Sequence, residues 1–373
     1  MSKRMTVKDL ARIAGVNHST VSRALNDSPR VHEATRVRIK ALAQEHNFQF
    51  NSNARSLSRR KTGVIGIIYP AGMEDFNSSL YTNRLFIDLR KKLEFYQLDG
   101  ILLEAYHPDT GKSNIERLIS QNKVDGFLII HGDIKSKDYD LIKEWKLPMV
   151  QVHLSSNNYS TDEIDYFFTD NRKGGELAAL HLLERGCQRF FDVSFMGCSK
   201  KEDLSDDDFL DSERYGEGAD RSRGFAVGLV NIPELRRYNY SIDGSFQAAR
   251  GFVKFHRNEF KKGDGLFFHS DLMAFGGLTA FRELGIKVPE EIKIIGFDDS
   301  PIASLMGVGI TTIHQPREEL AERACSRISA LLSAGVGELR GEDTKTENSN
   351  NEQLEKKRVQ ELLEPALVIR ETT

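Results

Sequence analysis

The sequence predicts an α + α/β protein: a small helical head and a short linker helix, followed by a two-lobed, doubly wound α/β body. Three observations carry this. Positive charge is concentrated at one end of the chain. Apolar residues recur at helical spacing across the first fifty positions. Beyond residue 63, short apolar runs alternate with amphipathic helices, the pattern of parallel sheets covered by helices.

The chain has 373 residues and a formal net charge of −3. Residues 1–62 hold 13 Lys/Arg against four acids, or +9, so the remainder carries −12. A basic head on an acidic body suggests a polyanion-binding module joined to something else; the alternative is a basic surface without a partner. No apolar run reaches the roughly 18 residues of a membrane span, and the first ten lack an export signal. Cys187, Cys198 and Cys325 have no paired spacing, so neither a disulfide framework nor a structural metal is expected. A reducing, cytoplasmic setting follows.

In the head, Thr6-Val7-Lys8-Asp9 is a start signal that caps a helix. Val7, Leu10, Ala11 and Ala14 follow at helical spacing, and Gly15 closes the helix by entering the left-handed region open to a residue without Cβ. Asn17 starts a second helix from His18 to Leu25, with Val21 and Leu25 inward. His18, Ser19, Ser22 and Arg23 share the other face. Helix, glycine turn and helix with a polar outer face is a helix-turn-helix, whose second helix enters a major groove. A third helix carrying Val37, Ile39, Leu42 and Ala43 covers the first two. Asn51 to Ser58 then forms a short hinge helix. In it Leu57 lies between Arg55 and the Arg59-Arg60-Lys61 run, which suits a minor-groove wedge flanked by phosphate contacts; the alternative is a linker leucine packed on the body.

The body opens with the strand around Val64–Tyr69, a helix from about Leu80 to Leu98, and strands at Gly100–Glu104, 124–130 and Met149–His153. The alternation restarts after Gly186, with strands near Phe190–Ser194, Tyr238–Ser241, Gly265–Phe268 and Ile292–Phe297. Two such sheets make two lobes, with a cleft at the strand C-terminal ends, where open α/β sheets bind ligands. Enzymatic signatures are missing: there is no G-x-S-x-G, H-E-x-x-H or phosphate-binding loop, and Gly307-Val308-Gly309 is too short for a dinucleotide fingerprint. The chain is expected to be no enzyme and to need no cofactor.

TVKDLARIAGVNHSTVSRALN from Thr6, then NARSLSRRKTGVIG from Asn53, strongly resemble the LacI/GalR family of bacterial transcription regulators. The resemblance continues through the Asp170-Asn171-Arg172-Lys173-Gly174 stretch, Arg221 to Phe225, Ser270-Asp271 and Gly296-Phe297-Asp298-Asp299. It implies a body with the periplasmic-sugar-binding-protein fold and a homodimer that grips double-stranded operator DNA. It also implies a small-molecule effector, a sugar, in the interlobe cleft. A nucleobase or a phosphorylated metabolite is the alternative effector, and a ligand-binding receptor without operator control the alternative function.

Carried over residue by residue, the resemblance makes Thr6, Asn17, His18, Ser19, Thr20, Ser22, Arg23 and Asn26 the DNA-contacting set of the head. Ala54, Arg55 and Leu57 are its counterparts in the hinge. Arg221, Asp298, Ser270 and Phe76 are the effector set; paired arginine and carboxylate arms make strong, directional hydroxyl clamps. For Arg221 and Asp298 the alternative is an interlobe salt bridge. The implied domains are 1–50 for the head, 51–62 for the hinge and 63–373 for the body. Lobe one takes 63–186 and 313–340, lobe two 187–312 and 341–373, with crossings near Gly186, Thr312 and Gly341. His46-Asn47-Phe48-Gln49-Phe50 departs from the family's usual Leu-Gly-Tyr-Arg-Pro before the hinge. Ser199–Gly218 is a long acidic stretch read as a solvated loop, with a role at the cleft mouth as the alternative, and 342–357 a polar insertion.

Overall fold

The computed structural model describes residues 5–25, 28, 30–46, 48, 61–69, 80–131, 134–153, 164–195, 216–230, 236–305, 307, 309–340 and 358–373. Two compact units divide at Thr62 and Gly63.

The first unit is three helices: α1 (Val7–Ala14), α2 (His18–Leu25) and α3 (Glu33–Glu45). Thr6 and Asp9 form a reciprocal capping box on α1, and Gly15 ends it at φ 66°, the left-handed value the sequence required. Leu10, Val21, Ala24 and Ile39 are fully buried and form the core. Ala24 takes the inner position expected of Leu25, which is only half-buried. Val37 was expected to cover the first two helices but is 57% exposed. The inner stripe of α3 is Ile39 and Ala43, four apart, and a residue two before Ile39 points about 200° away from it. The Arg38 guanidinium donates to the Ala14 carbonyl at 2.9 Å, satisfying an acceptor the end of α1 leaves open.

The second unit holds two six-stranded sheets. Lobe one is built on β1 (Val64–Tyr69), α4 (Leu80–Phe95), β2 (Asp99–Glu104), α5 (Asn114–Ser120), β3 (Gly126–Ile130), α6 (Ser136–Glu144), β4 (Met149–Val152) and β5 (Asp165–Thr169). Lobe two follows with α7 (Asn171–Glu184), β6 (Arg189–Phe195), α8 (Glu217–Leu229), β7 (Arg236–Ile242) and α9 (Phe246–Phe255). It continues through β8 (Asp264–Phe268), α10 (Asp271–Glu283), β9 (Ile292–Asp298) and β10 (Thr311–His314). The chain then returns through α11 (Arg317–Arg340), β11 (Gln360–Leu363) and β12 (Ala366–Val368). The sheet orders are β11-β5-β4-β3-β1-β2 and β12-β10-β9-β8-β6-β7. Every pairing is parallel except β10 with β12. Central strands such as β3 and β8 are buried at every position, which explains their unbroken apolar runs.

The crossings differ from those expected. The first falls at Asp170–Asn171, not near Gly186, because α7 buries Ala178, Ala179 and Leu182 against Phe190, Phe267 and Ile313 of lobe two. The second falls at Gln315–Pro316, since Thr312 is itself paired with Gly296 and Val368 inside the lobe-two sheet. The third falls at Glu364–Pro365, not near Gly341: β11 pairs with β5 in lobe one, and β12 with β10 in lobe two. Residues 342–357 lie outside the described residues.

Candidate functional site

In the head, His18 and Arg23 are exposed, as is Asn17, while Ser19, Thr20 and Ser22 are half-buried. Val21 and Ala24 anchor α2 from below, so positions 18, 19, 22 and 23 turn together to the outer face. The Asn17 carbonyl accepts from the Thr20 and Val21 amides and opens the helix. Thr6 is committed to structure: its hydroxyl lies 2.6 Å from Asp9 Oδ2 and accepts from the Asp9 amide. Asn26, Ala54, Arg55 and Leu57 lie outside the described residues, as does Phe76.

The body's polar site lies where strands of both lobes end. Arg221 on α8 is 3% exposed. Its Nε donates to Asn171 Oδ1 at 2.8 Å, Nη1 donates to the His269 carbonyl, and the guanidinium stacks 3.7 Å above the centre of the Phe297 ring. Two glycines make this placement possible. A Cβ on Gly175 would stand 1.9 Å from the Arg221 carbonyl, and one on Gly224 1.8 Å from that of Arg172. Only glycine lets α7 and α8 approach this closely.

Asp298, the last residue of β9, has φ 112°, a costly value for a residue with Cβ and one met mainly at functional positions. Its Oδ1 accepts from Gln315 Nε2 at 2.7 Å. Burial pushes this carboxyl up to about 7, against the pull of Arg221 and Gln315. Asp271, fully buried, is also held well above the usual range by burial first and by Asp298 second; it accepts from the Thr312 hydroxyl and the Ser300 amide. Ser270 was expected to face the effector. Its hydroxyl caps α10, accepting from the Met273 amide at 3.2 Å.

Sequence reasoning missed the residues that complete the site. His131 and His153 directly follow β3 and β4, and their rings stack 4.9 Å apart. Glu217, assigned to a solvated acidic loop, is instead the first residue of α8; its carboxylate lies 2.8 Å from His153 Nδ1, 3.5 Å from His131 Nδ1 and 3.6 Å from Arg221 Nη2. Burial alone would raise the Glu217 carboxyl, but the two histidines outweigh it and hold it well below the usual range. His153 is lowered by burial. Its Nε2 meets the Tyr81 hydroxyl at 2.9 Å, and burial holds that phenol well above its ordinary value. The network therefore assigns Tyr81 as donor to Nε2 and places the His153 proton on Nδ1, facing Glu217. The signal that could have found the histidines is position, at the C-terminal end of a predicted strand.

His269 Nε2 lies 2.7 Å from Asp192 and 3.5 Å from the Ser222 hydroxyl. One ring nitrogen faces both groups, whereas a nucleophilic relay needs the two nitrogens to face different partners. Among the described residues, no group of three or more His, Cys, Asp or Glu is arranged to hold a metal ion, and no helix is long and apolar enough to cross a membrane.

Comparison with known proteins yields two family matches. Residues 6–51 match the model for bacterial regulatory proteins of the lacI family, and residues 179–373 that for the periplasmic binding protein-like domain. The HTH-type transcriptional repressor PurR of Photobacterium profundum is 27% identical over 331 residues, covering 86% of this chain and 89% of the relative. The ribose operon repressor of Escherichia coli is 29% identical over 324 residues, with 86% and 90% covered. Among solved structures, the Lac repressor dimer bound to operator and the anti-inducer ONPF aligns with a TM-score of 0.74 at 20% identity, over 99% of both chains. The transcriptional regulator CelR in complex with cellobiose aligns at 0.62 and 21%, over 99% of this chain and all of that one.

Proposed function

The chain belongs to the lacI family of bacterial regulatory proteins, with a periplasmic binding protein-like body, and on that premise we propose a cytoplasmic repressor of carbohydrate-utilisation genes. In this reading it binds a pseudo-palindromic operator as a homodimer and has no catalytic step of its own. The observation that carries it is the outward face of α2, where His18 and Arg23 are exposed above a fully buried Val21 and Ala24. In a helix-turn-helix that face reads base edges, and the surrounding Lys/Arg supply phosphate contacts whose affinity falls steeply with salt. Asn17, Ser19, Thr20, Ser22 and Asn26 complete the contact set, Thr6 positions α1, and Ala54, Arg55 and Leu57 serve the minor groove. Gel-shift titrations at two salt concentrations test it; affinity that ignores salt rejects it.

The effector reading rests on the cleft. Arg221 and Asp298 offer a donor and an acceptor. Gln315 Oε1 and His131 Nε2 are buried polar atoms with no hydrogen-bond partner among the described residues. Such atoms are costly unless something else engages them, and the hydroxyls of a polyhydroxylated ligand, a sugar, supply both donors and acceptors. Asp298→Ala and Gln315→Ala are expected to retain operator binding and lose its response to the ligand. Loss of operator binding in both would favour a purely structural role. A thermal-shift screen of the full chain identifies the ligand, because binding at many times Kd adds several kcal/mol to stability.

A further inference from the structure

We propose that Glu217 is a latch between the two lobes, engaged without ligand and opened when the cleft opens. The inference rests on the reading of this cleft as the regulatory site. Glu217 begins α8 in lobe two, yet its closest contacts are His153 at 2.8 Å and His131 at 3.5 Å, both in lobe one. Arg221, one turn along α8, holds the same carboxylate from its own lobe at 3.6 Å. One acid therefore engages two side chains of one lobe and one of the other.

The surroundings are built for that contact. His131 and His153 adopt φ 57° and 65°, a left-handed region that residues with Cβ rarely enter. These values place two stacked imidazoles, 4.9 Å apart and 13° from parallel, against the acid. Tyr81 braces His153 from α4. His153 is wholly buried and Glu217 only 14% exposed, so the contact is largely shielded from water, and the attraction between a carboxylate and a polar ring is screened less there than at a surface. The plain alternative is that Glu217 merely complements the N-terminal dipole of α8. That role needs no partner in the other lobe, and Asp220 in the same turn already fills it.

Opening the cleft must part Glu217 from both imidazoles. Because Arg221 also belongs to the proposed effector set, a ligand that engages Arg221 competes with Glu217 for the guanidinium. Effector binding and lobe contact thus share one side chain.

Hydrogen exchange followed by mass spectrometry on the full chain tests the latch without ligand. The variants are Glu217→Gln, Glu217→Asp, His153→Gln and Asp220→Asn. Glu217→Asp keeps the charge and the dipole interaction but withdraws the carboxylate by one methylene. Both Glu217 variants should raise exchange about fivefold or more in segments 126–131 and 149–153 of lobe one. His153→Gln should do the same reciprocally in 217–229. Changes confined to 217–229 in the Glu217 variants, or an Asp220→Asn variant that reproduces the lobe-one increase, overturn the latch. Operator binding by the wild-type chain, measured separately, tests the regulator reading, and its failure would leave the exchange result standing.

Discussion

Gly224→Ala perturbs the site from outside it. The new Cβ would stand 1.8 Å from the Arg172 carbonyl, whereas ordinary contact begins at 3.4 Å. The clash is with backbone, so no side chain can swing away, and α8 must retreat from α7 by about 1.6 Å in a close-packed interior. The 2.8 Å bond from Arg221 to Asn171 and the 2.8 Å contact between Glu217 and His153 cannot survive a shift of that size. Overpacking costs about 1–3 kcal/mol and a lost charged hydrogen bond about 1.5–3, against about 1 regained from the better helix propensity of alanine. A net loss of about 1.5–5 kcal/mol is expected, read from urea unfolding of the body. Gly251→Ala is the matched control. It lies in α9 with nothing within 4 Å of its added Cβ, so it should stabilise by up to about 1 kcal/mol. A Gly224→Ala body that unfolds within 0.5 kcal/mol of wild type, on the order of a surface substitution, would refute the reasoning.

Stability of the body should fall on acidification below about pH 6.5, the ordinary histidine value. His153, His181 and His269 are all lowered by burial, so the unfolded chain binds their protons first, at about 1.4 kcal/mol per pH unit for each net proton. Asp298 acts oppositely: its raised value contributes stability at low pH that is lost as pH rises through about 7, so Asp298→Asn should steepen the acid loss, and urea midpoints of the variant that fall no more steeply than those of wild type from about pH 7 to 5 would contradict this. In the head, Thr6→Ala should cost about 1 kcal/mol through its lost cap while Thr6→Ser restores it; a loss of operator affinity in Thr6→Ala larger than its loss of stability, and restored by Thr6→Ser, would instead give the hydroxyl a DNA role. Arg23→Ala should weaken specific operator binding by about 1–3 kcal/mol and relax preference at one base pair, which anisotropy titrations against single-base operator variants would measure.

The parts legible in sequence were those fixed by local pattern. The Thr6–Asp9 box, the Gly15 turn and the apolar runs of β1, β3, β8 and β9 need only near neighbours to be recognised. Lobe membership was not legible beyond Asp170, because it depends on which sheet a short strand joins. β5 alternates along Asp165 to Thr169, and β11 and β12 have four and three residues, too few to declare a partner. Within the candidate site, Arg221 and Asp298 were singled out by motif. Glu217 was hidden in an acidic run whose average character is solvated, and only its contact with two histidines over 60 positions away in sequence shows otherwise.

The corrected crossings bear on how the cleft could sense its own opening. Asn171 is the first residue after the first crossing, and its side chain accepts from Arg221. Gln315 sits on the second, and its side chain donates to Asp298. Each arm of the proposed effector clamp is therefore held by a residue on a segment that joins the lobes. In a hinge, a few residues at the ends of elements absorb the change in backbone angle. A rotation taken up at Asp170–Asn171 and Gln315–Pro316 must re-aim Asn171 and Gln315, and with them the guanidinium and the carboxyl they hold. The coupling runs equally in reverse: a ligand that fixes Arg221 and Asp298 in one orientation favours the hinge angle compatible with it. Clamp and hinge share hydrogen bonds, so no intervening relay is needed between ligand contact and lobe angle.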